Sequence, residues 1–316
     1  MGNKVSILVP IYGVEKYIEQ CAVSLMEQTY ENIEYIFVND CTKDNSINIL
    51  REVINRYPQR KSQVQIINHE KNRGLAAARN TALDACSGDY LWHVDSDDYL
   101  SLNAIDLLVV EMQRSKADVI IFGHFNVYDD KIKRIHVHSE EKLKYITSLL
   151  LNSTPASMWD KFYSASFYRK TGIHSIEGVN QGEDYAVVPR ILHQAKNIKF
   201  YDEPLYYYNL TNQSSYSRNI SLTSIESQKK ADDILCEYFK NVDGYKDLMG
   251  LLYIRSMLFL IKTSEKKQYK DVLNVYFFIN WERVDKLSIS DRIIVFLIKR
   301  KKFNLCYFII TLYTKL

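Results

Sequence analysis

The chain has 316 residues, 47% of them hydrophobic and 25% charged, proportions of a globular protein of one large domain or two smaller ones with a sizeable core. Its net charge of +3 is too small to imply nucleic acid as a partner, and no apolar run approaches the roughly 20 residues that a spanning helix requires. Five scattered cysteines, odd in number and without a C-x-x-C pair, argue against a disulfide framework or a zinc site and for a reducing cytoplasm.

Met1 leads directly into a strand, Val5-Ser6-Ile7-Leu8-Val9, which leaves no room for a secretory signal. Further strand-like runs begin near Ile33, Val64 and Tyr90. Helical periodicity fills the gaps: Val14, Tyr17, Ile18, Cys21 and Leu25 in the first, and Ile47, Leu50, Ile54 and Tyr57 in the second. The third gap, residues 75–86, is rich in alanine, which favours a helix packed closely on a sheet. Repeats of roughly 30 residues are the spacing of βαβ units, so an α/β fold with a mostly parallel sheet flanked by helices is expected. A helix over 102–114, a strand over 118–122 and a hairpin over 125–137 follow. Residues 140–217 are less regular, and beyond Ser221 the pattern is helical to the end. The expected domains are therefore 1–220, divided near residue 100, and a helical region 221–316.

The strand at Tyr90 runs into Asp95-Ser96-Asp97-Asp98. Residues two apart in a strand share a face, so Asp95 and Asp97 can aim two carboxylates at one point while Ser96 points away. A hard divalent cation takes one or two such ligands from protein and completes its shell with water and phosphate oxygens. Helix capping by Asp98 or Ser101 could explain one acid, but not all three. A metal–diphosphate site at the strand ends is the favoured reading.

Three further features lie where such a site would need them. Strand one ends in Val9-Pro10-Ile11-Tyr12, whose ring can cover a base or pack on its own helix. Strand two ends in Asn39-Asp40, whose carboxylate can accept from the imide N–H of uracil or cap the next helix. Asn72-Arg73-Gly74 turns into a helix carrying Arg79-Asn80, and an arginine there reaches phosphate or ribose unless it pairs at the surface.

Together these residues strongly resemble the family 2 glycosyltransferases, nucleotide-sugar enzymes with the GT-A (Rossmann-like) fold. The resemblance rests on the first strand through Tyr12, Gln28-Thr29-Tyr30, Asn39-Asp40, Gly74 with Ala78-Arg79-Asn80, Asp95-Ser96-Asp97-Asp98 and Gly182-Glu183-Asp184, in order over residues 4–215. It implies that Pro10, Tyr12 and Asp40 hold uracil with Asn72 and Arg79 nearby. Asp95 would contact ribose or metal, and Asp97 would ligate Mn²⁺ or Mg²⁺. Asp184 would be the catalytic base with Glu183 supporting it, and Trp159 and Lys161 would mark the sugar and acceptor region. The implied reaction moves one sugar from a nucleotide sugar, UDP-linked, to a glycan or undecaprenyl-linked saccharide of a bacterial surface polysaccharide such as capsule or lipopolysaccharide.

Asn39 stands where many relatives carry Asp, and Asn209 where an arginine is common, so that phosphate contact comes from Arg218 or is missing. The Q-x-x-R-W signature of processive members is absent, so one sugar per binding event is expected. A carboxylate of ordinary pKa, about 4, is ionised at neutral pH and can take the acceptor proton in a single inverting displacement. Gly182-Glu183-Asp184 also reads as an ordinary helix N-terminus, where acids favour the macrodipole.

The last apolar run follows Lys299-Arg300-Lys301-Lys302 and as a helix would be roughly 16 Å long, too short to span a bilayer. Cations beside apolar residues suit an interfacial anchor at the inner face of the cytoplasmic membrane. The alternative is a helical pair docked on the catalytic domain or, in a homodimer, on a second subunit. A competing reading of the whole chain is a catalytically degenerate nucleotide-sugar-binding protein, against which the intact Asp95, Asp97 and Asp184 argue. A dinucleotide oxidoreductase is disfavoured because the first strand leads to no G-x-G-x-x-G, and a dehalogenase-type phosphatase because its D-x-D follows the first strand.

Overall fold

Every residue of β1 (Val5–Ile11) is buried, as befits a strand covered by helices on both faces of a parallel sheet. The computed structural model, which describes residues 2–137, 141–212, 220–279 and 281–314, pairs it in parallel with β2 (Ile33–Asn39) and β4 (Tyr90–His93). β2 pairs in parallel with β3 (Val64–Asn68). Between these strands run α1 (Ile18–Met26), α2 (Ser46–Arg56) and α3 (Leu75–Ala85), as the apolar spacing and the alanine run predict. Ala76, Ala77, Ala78 and Ala82 are buried, and their small side chains let α3 lie close on β1 and β2.

Beyond β4 the sheet becomes mixed. The short β5 (Tyr99–Leu100) and α4 (Ala104–Ser115) lead to β6 (Val119–Val127), which forms the expected hairpin with β7 (Ile132–Ile135). After α5 (Lys142–Leu150), β8 (Lys161–Ser164) inserts antiparallel between β4 and β6. After α6 (Ala165–Thr171) and α7 (Glu183–Gln194), β9 (Ile198–Asn209) pairs in parallel with β6 and antiparallel with β5. The strand order is β3-β2-β1-β4-β8-β6-β9-β5, with β7 on β6. Because β9 reaches back to β5, it delivers Tyr206 and Tyr207 opposite Leu100 and Tyr99, beside the acidic turn.

The chain divides into two compact units. The first, Met1–Lys142, Ser157–Asn180 and Arg190–Gln213, contains the whole sheet. The second joins Leu143–Ala156 and Gln181–Pro189 to Ser214–Leu316. Its helices include α8 (Leu222–Phe239), α9 (Met249–Thr263), α10 (Tyr269–Val275), α11 (Ile289–Lys299) and α12 (Phe303–Thr314). Long-range bonds explain why residues 143–156 join it: Asn152 donates to Ser256 at 3.1 Å, and Arg255 donates to the Leu151 carbonyl at 2.8 Å. The core of this unit contains Ile254, Met257, Ile261 and Tyr269 together with Ile294, Ile298, Cys306 and Ile310 of the last two helices. Those two helices are thus docked on their own unit. Among the described residues no helix is long and apolar enough to cross a membrane.

Within the sheet unit Glu34 ties β1, β2 and the approach to β4 together. It pairs with Lys4 at 2.5 Å and accepts from Ser6 Oγ at 2.5 Å, from Ser87 N–H at 2.6 Å and from Ser87 Oγ at 2.8 Å. Burial alone would raise its pKa, but Lys4, Ser6 and Ser87 outweigh that and hold it at about 2, against an ordinary 4.5. A carboxyl with a depressed folded pKa stabilises above its unfolded pKa, and the contribution fades as pH falls from 4.5 towards 2. Glu34→Gln should cost about 2 kcal/mol at pH 7, and the gap to wild type should narrow in thermal melts below pH 4.5.

Candidate active site at the ends of the parallel strands

Where β4 leaves the sheet, Val94 N–H still donates to the Leu8 carbonyl at 3.0 Å. The chain then alternates: Asp95 and Asp97 are half-buried, while Ser96 and Asp98 are buried. β4 ends at His93, so strand alternation does not reach these residues: they form a turn, with Asp98 N–H donating to the Asp95 carbonyl at 3.2 Å, which leaves Asp95 and Asp97 more exposed than Asp98. Asp98 does not cap α4, whose N-cap residue is Asn103. Its carboxylate accepts from Tyr206 Oη and from Asn209 N–H, both at 2.7 Å. The Tyr206 oxygen in turn accepts Asp95 N–H at 3.1 Å. Asn209 Nδ2 donates to the Asp97 carbonyl at 3.1 Å, and Asn212 Nδ2 to Asp97 Oδ2 at 2.8 Å. Asn209, the residue in place of a common arginine, is thus a brace for the acidic turn. Arg218 lies outside the described residues.

Burial, and then the neighbouring Asp95 charge, pushes the Asp97 carboxyl above the usual carboxylate range. Burial with the charges of Asp97 and Asp95 pushes Asp98 well above it. Three crowded carboxyls at half-buried or buried positions are an environment that a divalent cation would relieve. Among the described residues no group of three or more His, Cys, Asp or Glu side chains is placed to hold a metal ion. Two outward carboxylates fit an ion that keeps positions for water and phosphate.

Arg79 on α3 is 2% exposed, and its Nη2 donates to Asp95 Oδ1 at 3.0 Å. Arg79 thus supplies positive charge beside the turn from within the protein.

Asp40, at the end of β2, accepts from His69 Nδ1 at 2.7 Å and from Arg73 N–H and Gly74 N–H, each at 2.8 Å. A carboxylate has about four acceptor positions, so three bonds shape the 69–74 loop and one Oδ2 position remains. Gly74 needs to be glycine: its φ is +88°, and a Cβ would come within 2.5 Å of Asn180 Oδ1. Asn72 is exposed two residues before it. Asn39 donates to Asn68 Oδ1 at 2.9 Å across β2 and β3, a bond that an aspartate could not make. Tyr12 is 52% exposed just past β1, while Pro10 is buried opposite Val38. β4 pairs with β1 only as far as Leu8, so the missing Pro10 N–H costs no ladder bond there.

Trp159 and Lys161, expected to mark the sugar and acceptor region, are both buried. Trp159 is 6% exposed, and its ring stacks on Tyr206 at 4.6 Å and Tyr208 at 5.1 Å, within the main core. Lys161 is fully buried, with Nζ donating to the Ser157 carbonyl at 2.7 Å and paired with Asp160 at 2.5 Å. A buried ammonium demands such partners, and Lys161 holds the 157–160 loop from beneath.

Glu183 and Asp184, half-buried, open α7, and residues 181–189 belong to the second unit. Ser227 Oγ on α8 clamps Gln181, two residues before Glu183, accepting from its N–H at 3.0 Å and donating to its carbonyl at 2.9 Å. Gly182 has φ +79°, and a Cβ on it would lie 2.7 Å from Gln228 Oε1. The spacing Gly-Glu-Asp thus reflects close packing on α8 as well as a helix start. His69, Asn209, Asn212 and Ser227 carry no local sequence signal, because each acts on a partner far along the chain.

The family described as Glycosyl transferase family 2 matches residues 6–176. EpsJ of Bacillus subtilis, named a glycosyltransferase, is 31% identical over 257 residues, 78% of this chain and 71% of that protein. The glycosyltransferase GlyG of Streptococcus pneumoniae is 27% identical over 293 residues, 86% of this chain and 94% of its own. Among solved structures, S. aureus TarS 1–349 in complex with UDP-GlcNAc superposes with a TM-score of 0.71 at 21% identity, covering 99% of this chain and 92% of that one. The mannosyltransferase PcManGT of Pyrobaculum calidifontis, in complex with GDP-Man and Mn²⁺, gives 0.58 at 12% identity, covering 100% and 87%. The fold is that of the GT-A enzymes with added C-terminal helices, and this chain belongs to glycosyltransferase family 2 and is a glycosyltransferase enzyme.

Proposed function

We propose that the chain is an inverting, metal-dependent transferase that moves one sugar, a hexose or N-acetylhexosamine, from a UDP-sugar to a glycan or lipid-linked oligosaccharide in surface polysaccharide synthesis. The observation that carries this reading is the braced acidic turn, with Asp95 and Asp97 turned out beside Arg79 at the ends of the parallel strands. UDP is favoured because the remaining Oδ2 position of Asp40 suits a uracil imide N–H, with Tyr12 exposed past the neighbouring strand. The likeness to TarS, solved with UDP-GlcNAc, supports the same choice. Pro10 and Asn72 complete the proposed nucleotide set.

A divalent ion, Mn²⁺ or Mg²⁺, held by Asp97 with Asp95 supplies neutralisation of the charge that builds on the leaving diphosphate. The chain's own residues do the rest. Arg79 holds Asp95 in orientation by its bond at 3.0 Å. Asp184 takes the proton of the attacking acceptor hydroxyl, and Glu183 supports it at the helix start. Contact with the inner face of the cytoplasmic membrane through the C-terminal helices fits a lipid-linked acceptor. The test is a panel of UDP-, GDP- and dTDP-sugars scored for hydrolysis with and without Mn²⁺. One UDP-sugar should be turned over only with the metal. Equal turnover after chelation, or none with any donor, would sink the reading.

A further inference from the structure

We infer that the outer faces of α11 and α12 form a landing surface for anionic lipid, with the basic turn between the helices as its charged part. The inference rests on the membrane contact proposed above and specifies which residues make it. Both helices are apolar on two sides. Ile294, Val295, Leu297, Ile298, Cys306 and Ile310 face the core of the second unit. On the opposite side Ile289, Ile293 and Phe296 are 77%, 40% and 52% exposed at spacing i, i+4, i+7, one stripe of a helix. Leu305, Phe308 and Leu312 are 49%, 59% and 50% exposed at spacing i, i+3, i+7, again one stripe. A helix whose inner face already meets a core has no folding reason to carry a second apolar stripe.

Charge identifies the occupant. Lys299, Arg300, Lys301 and Lys302 are all exposed in the turn between the stripes. The only acid within the two helices, Asp291, is buried and paired with Arg255 and Lys262. The two helices therefore present apolar side chains and cations with no exposed carboxylate of their own, the exposed Asp285 lying before α11 beside Lys286. A second copy meeting it through the same surface would bring cations to cations. An anionic headgroup layer above an acyl interior matches both components, and two short helices lying in the interface need no spanning length.

The experiment is flotation of the full chain with vesicles of phosphatidylcholine alone or of equal parts phosphatidylcholine and phosphatidylglycerol. Wild type should float with the anionic vesicles, less so at high salt, and remain below with the neutral ones. Replacing the four cations by alanine should weaken partitioning on the order of a hundredfold. Phe296→Ser with Phe308→Ser should weaken it roughly tenfold or more, with the thermal unfolding midpoint little changed because both rings are exposed. Unchanged flotation of either variant, or equal flotation on neutral vesicles, would overturn the inference. So would concentration-dependent self-association, read by light scattering, that the Phe296/Phe308 variant abolishes without any vesicle binding by wild type. None of these measurements needs catalysis, so an inactive but floating protein would tell against the transferase mechanism and leave the lipid surface standing.

Discussion

Asp184→Asn should abolish sugar transfer while the nucleotide sugar still binds. Asparagine keeps the shape and the place at the start of α7 but cannot accept a proton at neutral pH. Loss of a general base costs about 10²- to 10⁴-fold, and the loss should fall on kcat with the donor KM little moved. The measurement is steady-state transfer beside donor titration by calorimetry. The start of α7 is held by the Ser227 clamp on Gln181 and by Gly182 against α8, so a thermal melt beside the titration separates loss of the base from loss of the fold. Unimpaired transfer would remove Asp184 from the mechanism. Loss of donor binding as well would mark a structural role.

Asp97→Asn should behave differently, failing in donor binding as well as in turnover. Removing one of two outward carboxylates takes away a ligand for the ion, and stabilisation of the leaving diphosphate is worth several kcal/mol, roughly a thousandfold in rate. Added Mn²⁺ should no longer tighten UDP binding in a thermal-shift series. The metal-free variant should nevertheless melt higher than metal-free wild type. Burial and the Asp95 charge raise the folded pKa of Asp97, so its ionised form is disfavoured by folding above that pKa, and the penalty shrinks as pH falls from the folded pKa and is gone below the unfolded one. Asparagine carries no such penalty. A variant that melted lower, or kept its response to Mn²⁺, would contradict the placement of the ion at this carboxylate.

Much of this was legible in one dimension because the parallel half of the sheet is built from local rules. Each βαβ repeat places its apolar residues at the period of its own element, so β1 to β4 and α1 to α3 can be read without knowing their neighbours. The acidic run was visible too, but it lies in a turn beyond the end of β4 at His93, so the strand period did not place its carboxylates. The mixed half was not. β8 lies between β4 and β6, and β9 joins β6 to β5, pairings that follow from packing across the fold and leave no periodic trace. Trp159 and Lys161 were named for the region that the family resemblance assigns them, and that resemblance could not show that they are covered by Tyr206 and Tyr208 and by Asp160 and the Ser157 carbonyl. Asp40 shows the middle case. Its position was evident, but its three bonds into the 69–74 loop begin 29 residues away and could be found only in three dimensions.

The dependence of the acidic turn on β9 bears on how such motifs evolve and travel. Asp98 leans on a hydroxyl 108 positions downstream and on an amide 111 positions downstream, so the four-letter signature is rigid only in company. Grafted into another scaffold without that distant strand, it would be a floppy string of acids. A drifting sequence that kept all three aspartates but lost Tyr206 would preserve the spelling and forfeit the geometry.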